Sequence, residues 1–281
     1  MNFNHFLITR FNLRLPRNMN PKDRSGNDVR GKEWLDHRTN LFIKYCLPSV
    51  LNQTNKKFSW LIYFDSATCN EVLSVFRDIE TQYKNLIRII LADDYDSFLK
   101  SYCNDVLDMS DRDCKYIITT RLDNDDIIHK DFVSAIQNKF RKQNFIAVNF
   151  LKILMLNPEK TNKLHIDYIF SNHFISVIEA RRSSGIAGCY SRGDRYWNIR
   201  NEIIQITDRP YCIEIISGRN LLNRFRGFPV FKKTDLSGFS LENMEIKNTF
   251  WDCDNLKLWR MSWKKLTLYH WYKLNGRFNY E

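Results

Sequence analysis

Glycine and proline are scarce in this sequence, 9 and 6 of 281 residues. That scarcity excludes long disordered linkers, and neither an internal repeat nor a low-complexity tract is present. Long apolar runs are missing too. The longest, Phe145 to Leu156, is interrupted by Asn149 and Lys152 and is too short to span a bilayer. Residues 1–10 lack a basic n-region, a long apolar h-region and a small-residue cleavage site, so they read as a first strand rather than a secretion signal. The seven cysteines (Cys46, Cys69, Cys103, Cys114, Cys189, Cys212, Cys253) contain no C-x-x-C pair. An odd count without zinc spacing points to reduced thiols in a cytosolic protein, most of them packed as small core hydrophobes. There is no G-x-x-x-x-G-K-[ST], G-x-G-x-x-G or G-x-S-x-G, so P-loop, dinucleotide-fingerprint and serine-hydrolase readings lose support. The six histidines show neither H-E-x-x-H nor paired spacing, and His129 reads as a surface residue at a helix start.

What is present is enough for a full core: 281 residues, 43% hydrophobic and 27% charged. Lysine and arginine number 43 against 32 acids, a net charge of +11 that is densest in the second half. Such a surface attracts phosphates of nucleic acid, anionic lipid or nucleotide, or simply keeps the chain soluble; charge alone does not choose.

The first half alternates two periodicities. Phe6–Thr9, Phe58–Phe64, Leu86–Leu91, Lys115–Thr120 and Phe145–Phe150 are predicted strands. Trp34–Leu51, Asn70–Tyr83, Ser97–Leu107 and Asp131–Arg141 carry helical spacing. Pro16–Gly31 is polar and turn-rich. Strand and helix in alternation predict an α/β fold: a mostly parallel twisted sheet with helices on both faces. Ligands then bind outside the carboxyl ends of the strands. Asp65, Asp93–Asp94 and Asp123–Asp126 all fall at such ends. Gly185–Gly188 is either a loop that offers its backbone to a phosphate or sugar, or a plain turn. Ile213–Asn220 reads as a strand followed by a turn.

The sharpest signal is Thr120-Arg121-Leu122-Asp123-Asn124-Asp125-Asp126. Three carboxylates within four residues repel one another unless a cation reverses the sign of that energy. Hard oxygen donors at a strand end suit Mg²⁺ or Mn²⁺, above all when a diphosphate completes the shell. The plain alternative is a solvated acidic loop that caps the next helix.

Leu7-Ile8-Thr9-Arg10-Phe11, Arg38-Thr39-Asn40-Leu41-Phe42, Tyr45–Thr54, Phe58–Asp65 and the Thr120–Asp126 block together resemble the putative rhamnosyltransferase family, which is similar to GT-A-fold glycosyltransferases. The likeness covers residues 5–150 and continues weakly to about 230 through Ile216-Ser217-Gly218-Arg219-Asn220. It implies a GT-A-like domain and a nucleotide-diphosphate sugar donor. Thr9, Arg10 and Asp65 would line the nucleotide site, with Arg121 beside the D-x-D formed by Asp123 and Asp125. Asp125 would be the direct metal ligand, and Asp126 would hold Arg121 or stand behind the metal. One departure is visible: a His-Gly pair is expected where this chain has Ser217-Gly218.

Glycosyl transfer builds negative charge on the leaving diphosphate. Arg181, Arg182, Arg192, Arg195 or Arg219 could assist the metal there. An inverting reaction also needs a carboxylate base; Asp194, Glu202, Asp208 and Glu214 are candidates, with Asp208 preferred because it precedes Arg209-Pro210 in a loop. The expected acceptor is a glycan or lipid-linked glycan rather than nucleic acid. The expected units are a catalytic domain over 1–240, with a donor half over 1–150 and an acceptor half over 151–240, and an extension over 241–281. The tail from Phe250 to Lys273 interleaves aromatics with Lys and Arg. It either packs on the core or touches a membrane from the cytoplasmic side. Two rival readings use the same residues: a metal-dependent nuclease or nucleotidyltransferase, and a non-catalytic module that binds nucleic acid or membrane.

Overall fold

In the computed structural model the described residues are 2–15, 22, 26, 31–158, 163–193, 197, 203–217, 219–220, 224–230, 235–241, 246 and 256–275. They form β1 (Phe3–Arg10), α1 (Lys32–Leu41), a π-helical turn (Phe42–Cys46), α2 (Leu47–Leu51), β2 (Ser59–Asp65), α3 (Asn70–Gln82), β3 (Ile87–Ala92), α4 (Tyr95–Met109), β4 (Tyr116–Arg121), β5 (Ile127–Ile128) and α5 (Phe132–Gln137). Then follow β6 (Phe145–Phe150), β7 (Lys152–Asn157), β8 (Lys163–Tyr168), β9 (Ser176–Ala180), β10 (Ile203–Ile206), β11 (Cys212–Ile215), β12 (Phe228–Pro229) and α6 (Leu256–Leu274).

The main sheet has seven strands in the order β10-β6-β9-β4-β1-β2-β3. Only β9 runs antiparallel to its neighbours. The carboxyl ends of the other six strands therefore share one edge. Both faces are buried, which is why β2 reads as an unbroken apolar run rather than an alternating one. Leu7, Trp60, Ile62, Phe64 and Ile118 pack with residues of α1, α2, α3 and α5. Phe6, Ile8, Leu61, Tyr63 and Ile117 pack with α4 through Phe98, Tyr102 and Val106. The α/β class, the mostly parallel sheet and its two helical layers are those expected.

A second sheet, β12-β8-β7-β11-β5, was not expected, although its strand β11 is the one read at Ile213. Its strand β7 continues the apolar run after β6, and the chain leaves one sheet for the other at Leu151. Three amides lock that crossover. Asn149 Nδ2 donates to Gln205 Oε1 at 2.7 Å and to the Ile169 carbonyl at 2.9 Å. Asn172 donates its backbone N–H to Asn149 Oδ1 and its side-chain amide to the Phe150 carbonyl. Since buried amides must be paired, this network fixes where the sheets part. The second sheet packs Leu154, Leu156, Ile213 and Ile215 against Leu41 and Tyr45.

The helix expected over Trp34–Leu51 widens into a π-helical turn at Phe42–Cys46, where Leu47 N–H reaches the Phe42 carbonyl. Pro48 has no N–H to give to the turn before it, so the ladder shifts register there. The turn buries Cys46 beneath the β4 terminus, with Sγ 3.7 Å from the Asp123 carbonyl.

Candidate active site

At the end of β4 the strand bonding stops with Leu122 N–H on the Ile8 carbonyl, and the next four residues fan apart. Asn124 donates to the Phe11 carbonyl at 2.8 Å and accepts from Arg38. Asp125 receives both arms of the Arg38 guanidinium, at 2.5 and 2.8 Å. Asp126 accepts the Ile215 N–H at 3.0 Å and meets His173 Nε2 at 2.7 Å. Asp123 takes Arg121 at 3.2 Å on each oxygen, with Arg10 3.9 Å away. Of the three carboxylates, Asp125 and Asp126 are buried, whereas Asp123 keeps a quarter of its side chain exposed.

The charges sort accordingly. Burial works to raise Asp123, but Arg121, His173 and Arg10 outweigh it and hold the carboxyl well below the usual range. Burial and the adjacent Asp125 charge push Asp126 up, against the His173 hydrogen bond. Burial works to lower His173, but Asp126 and then Asp123 raise it, so the imidazole is held protonated. Glu214 on β11 is raised by burial. Its Oε2 lies 3.5 Å from Arg226, and its Oε1 has no hydrogen-bond partner among the described residues.

The rest of the edge is stiffened by aromatics and arginines. Arg10 lies between the Tyr95 and Tyr190 rings, at 5.1 and 5.0 Å, and Arg121 sits 5.5 Å from Tyr190. Tyr190 follows the Gly185–Gly188 segment, which leaves a turn closed by the Gly185 N–H on the Arg182 carbonyl. Ala187 and Gly188 donate their N–H groups to Glu179 at 2.7 Å each, so these amides are not turned to a ligand. At Gly188, φ is +72° and a Cβ would come within 2.4 Å of the Tyr102 hydroxyl oxygen.

The sequence-based candidates divide as follows. Arg10, Arg121, Asp123 and Asp125 come together at the β4 terminus. Thr9 is fully buried and accepts the Trp60 indole N–H at 2.8 Å, so its hydroxyl does not line an open site. Asp65 is buried and holds Arg14 Nε at 2.8 Å and the Ala67 N–H. Asp94 caps α4 through the Ser97 N–H. Asp126 pairs with His173 rather than Arg121. Asp208 follows β10 on the same edge, with β9 and β6 between β10 and β4, and accepts from the Tyr211 hydroxyl at 2.9 Å. Arg219 donates to the Glu33 carbonyl, close to Asn220, whose amide lies 3.4 Å from Asp125. Arg181 bonds Ser110 and the Asp111 carbonyl instead. Asp194, Arg195 and Glu202 lie outside the described residues. His129 does stand just before a helix but is buried against Tyr211 and Phe239.

Arg38, His173 and Asn220 are site residues that the pattern reading gave no role. His173 lies 47 residues from Asp126, on the link between β8 and β9, and nothing local in sequence marks it. Among the described residues one group could hold a metal ion: Asp123, Asp126 and His173, with ligand atoms within 4.8 Å of one another. That spacing is near the roughly 4 Å span of an octahedral ion's opposed ligands. Two carboxylates and an imidazole suit Mn²⁺ better than the all-oxygen preference of Mg²⁺. The expected direct ligand, Asp125, is instead engaged by the Arg38 fork.

The family model described as "Putative rhamnosyl transferase" matches residues 3–214. The chain belongs to this family. No curated protein matches. Among solved structures, S. aureus TarS 1–349 is similar at 10% identity with a TM-score of 0.41, over 75% of this chain and 60% of that one. A putative nucleotide-diphospho-sugar transferase from Desulfovibrio desulfuricans G20 is similar at 8% identity with a TM-score of 0.37, over 78% of this chain and 83% of that one. The chain thus spans three-fifths of the TarS fragment.

Proposed function

We propose that this protein is a glycosyltransferase that moves a sugar, rhamnose or another deoxyhexose, from a nucleotide-diphosphate donor to a glycan or lipid-linked glycan. The observation that carries this reading is the Asp123 carboxylate. It stays ionised, is the most exposed of the three, and is ringed by Arg10, Arg121 and His173 on the edge where α/β sheets bind ligands. The transferase unit is residues 1–240, with the donor in the half over 1–150 and the acceptor in the half over 151–240. Residues 241–281 form the extension.

A divalent cation, Mn²⁺ or Mg²⁺, would be held by Asp123 together with Asp126 and His173, the imidazole giving up the proton that it holds in the metal-free site, and when bound it supplies neutralising charge to the leaving diphosphate. Asp125 completes the D-x-D from behind: clamped by Arg38, it fixes the backbone turn that aims Asp123 outward. Arg10 and Arg121, kept rigid by Tyr95 and Tyr190, offer donors to phosphate oxygens. The Asp65–Arg14 pair fixes the end of β2 beside the nucleotide. Deprotonation of the acceptor hydroxyl is assigned to Asp208, which among the described residues accepts a side-chain hydrogen bond from Tyr211 on one oxygen. If Asp208→Asn retains full transfer with normal donor binding, Glu214 takes the role. The nuclease and nucleotidyltransferase readings need two ions, and only one three-ligand group exists among the described residues.

Calorimetric titration with UDP, GDP and dTDP, with and without Mn²⁺, tests the donor site. One of the three binds, more tightly with Mn²⁺, and Asp123→Asn removes the metal-dependent part. No binding by any diphosphate overturns the reading.

A further inference from the structure

Helix α6 carries apolar residues on two sides: one is buried on the fold, and the other stands largely exposed, with Trp263 touching Phe228 at its edge. On the inner face Tyr269 is buried, Ser262 Oγ accepts the Gly227 N–H at 3.2 Å, and Leu266 and Tyr272 pack against Leu151, Tyr168 and Phe170. Lys265 reaches the buried Asp167 at 2.7 Å, and Arg226 links Asp167 to Glu214. The helix is therefore tied rigidly to the second sheet. The outer surface carries Met261, Trp263, Leu268, Trp271 and Leu274, exposed by 38 to 86%. Nine large hydrophobic residues are exposed among the described residues, and these five all lie on this one helix. Scattered surface hydrophobes need no explanation; five on nineteen residues do.

Charge selects the occupant. The helix contains Lys257, Arg260, Lys264, Lys265 and Lys273 and no acidic residue. Lys265 is engaged by Asp167 and Lys273 lies towards Lys152, whereas Arg260 and Lys264 share the side of Trp263 and Trp271, so two copies packed outer face to outer face would set these two cations against their counterparts. An anionic bilayer would not: tryptophan rings favour the headgroup level, and Lys and Arg beside them reach lipid phosphates. The helix is not apolar enough to cross a membrane, and at roughly 28 Å it fits lying along the surface. We infer that the outer face of α6 docks this protein on an anionic phospholipid surface, with Trp263, Trp271 and Leu274 inserted and Arg260 and Lys264 on the headgroups. This inference stands on α6 alone and does not depend on the donor site.

Co-sedimentation of the full chain with phosphatidylcholine vesicles, and with vesicles containing one quarter phosphatidylglycerol, tests it. The protein pellets with the anionic vesicles only and is released at high salt. Arg260→Glu with Lys264→Glu lowers partitioning at least about tenfold, at roughly 1 kcal/mol for each basic charge near the surface. Trp263→Ala with Trp271→Ala lowers it comparably. All four positions are exposed, so unchanged circular dichroism and melting confirm intact folding, and calorimetric binding of nucleoside diphosphate stays as in the wild type. Failure of the folded wild type to bind anionic vesicles overturns the inference. Equal binding to both vesicle types, or a dimer in sedimentation velocity that the tryptophan pair dissolves, overturns it too.

Discussion

Arg38 carries the most consequence for the fold of any single site residue. Its guanidinium is nearly buried and bonds both oxygens of Asp125, itself 3% exposed, while its face rests 5.6 Å from Trp34. Removing one member of such a pair leaves the other charge buried and unpaired, at a cost of about 3–5 kcal/mol. Arg38→Ala should therefore lower the urea midpoint sharply. Arg38→Lys should rescue little, because an ammonium cannot match the two-pronged geometry. A midpoint unchanged in Arg38→Ala would show that Asp125 does not depend on this pair. The carboxylates themselves were legible in sequence, since three acids at a strand end demand cations. Which cations was not legible: Arg38 and His173 reach the cluster across 87 and 47 residues, and no local period encodes such contacts. The same blindness explains Thr9, whose position at the end of β1 is as expected but whose hydroxyl belongs to Trp60.

Among the elements, the five expected main-sheet strands were legible because burial on both faces makes them continuous apolar runs. The second sheet was not. Only its strand β11 was read from the sequence; β5 and β12 have two residues each, β7 continues a run already assigned, and the start of the sheet is marked only by the amides that pair at the crossover. Element packing also sets the acid response. His5 on β1 is buried, with Nε2 2.8 Å from Thr120 Oγ1 and Nδ1 3.2 Å from the Gln137 amide. Because Gln137 donates to Nδ1, the ring carries its proton on Nε2 and donates to Thr120. Burial lowers its pKa to about 3. In the unfolded chain it titrates near 6.5, so stability from this group is complete above 6.5 and drains away as pH falls towards 3. The loss amounts to a few kcal/mol, on the order of one per unit. Thermal melts from pH 7 to pH 4 should show it. His5→Gln, less stable at pH 7, should lose less on acidification; a parallel loss in the variant would assign the effect elsewhere.

For the whole molecule, the net charge of +11 finds two uses at different places. Arg10, Arg38 and Arg121 surround the acidic edge of the main sheet, and Arg260 and Lys264 of α6 face outward beyond the second sheet, while Lys265 turns in to Asp167. The sequence displayed the excess but not this division, because sorting charges needs the folded positions of their partners. The central claim is that the edge around Asp123 binds and activates a nucleotide-diphosphate sugar. It is tested most directly by release of nucleoside diphosphate from UDP-, GDP- and dTDP-sugars by the full chain with Mn²⁺, alongside a folded Asp123→Asn variant. The wild type should release diphosphate from one donor class, with Asp123→Asn slower by roughly a hundredfold, a loss of about 3 kcal/mol in transition-state stabilisation. Undiminished release by folded Asp123→Asn would contradict the account.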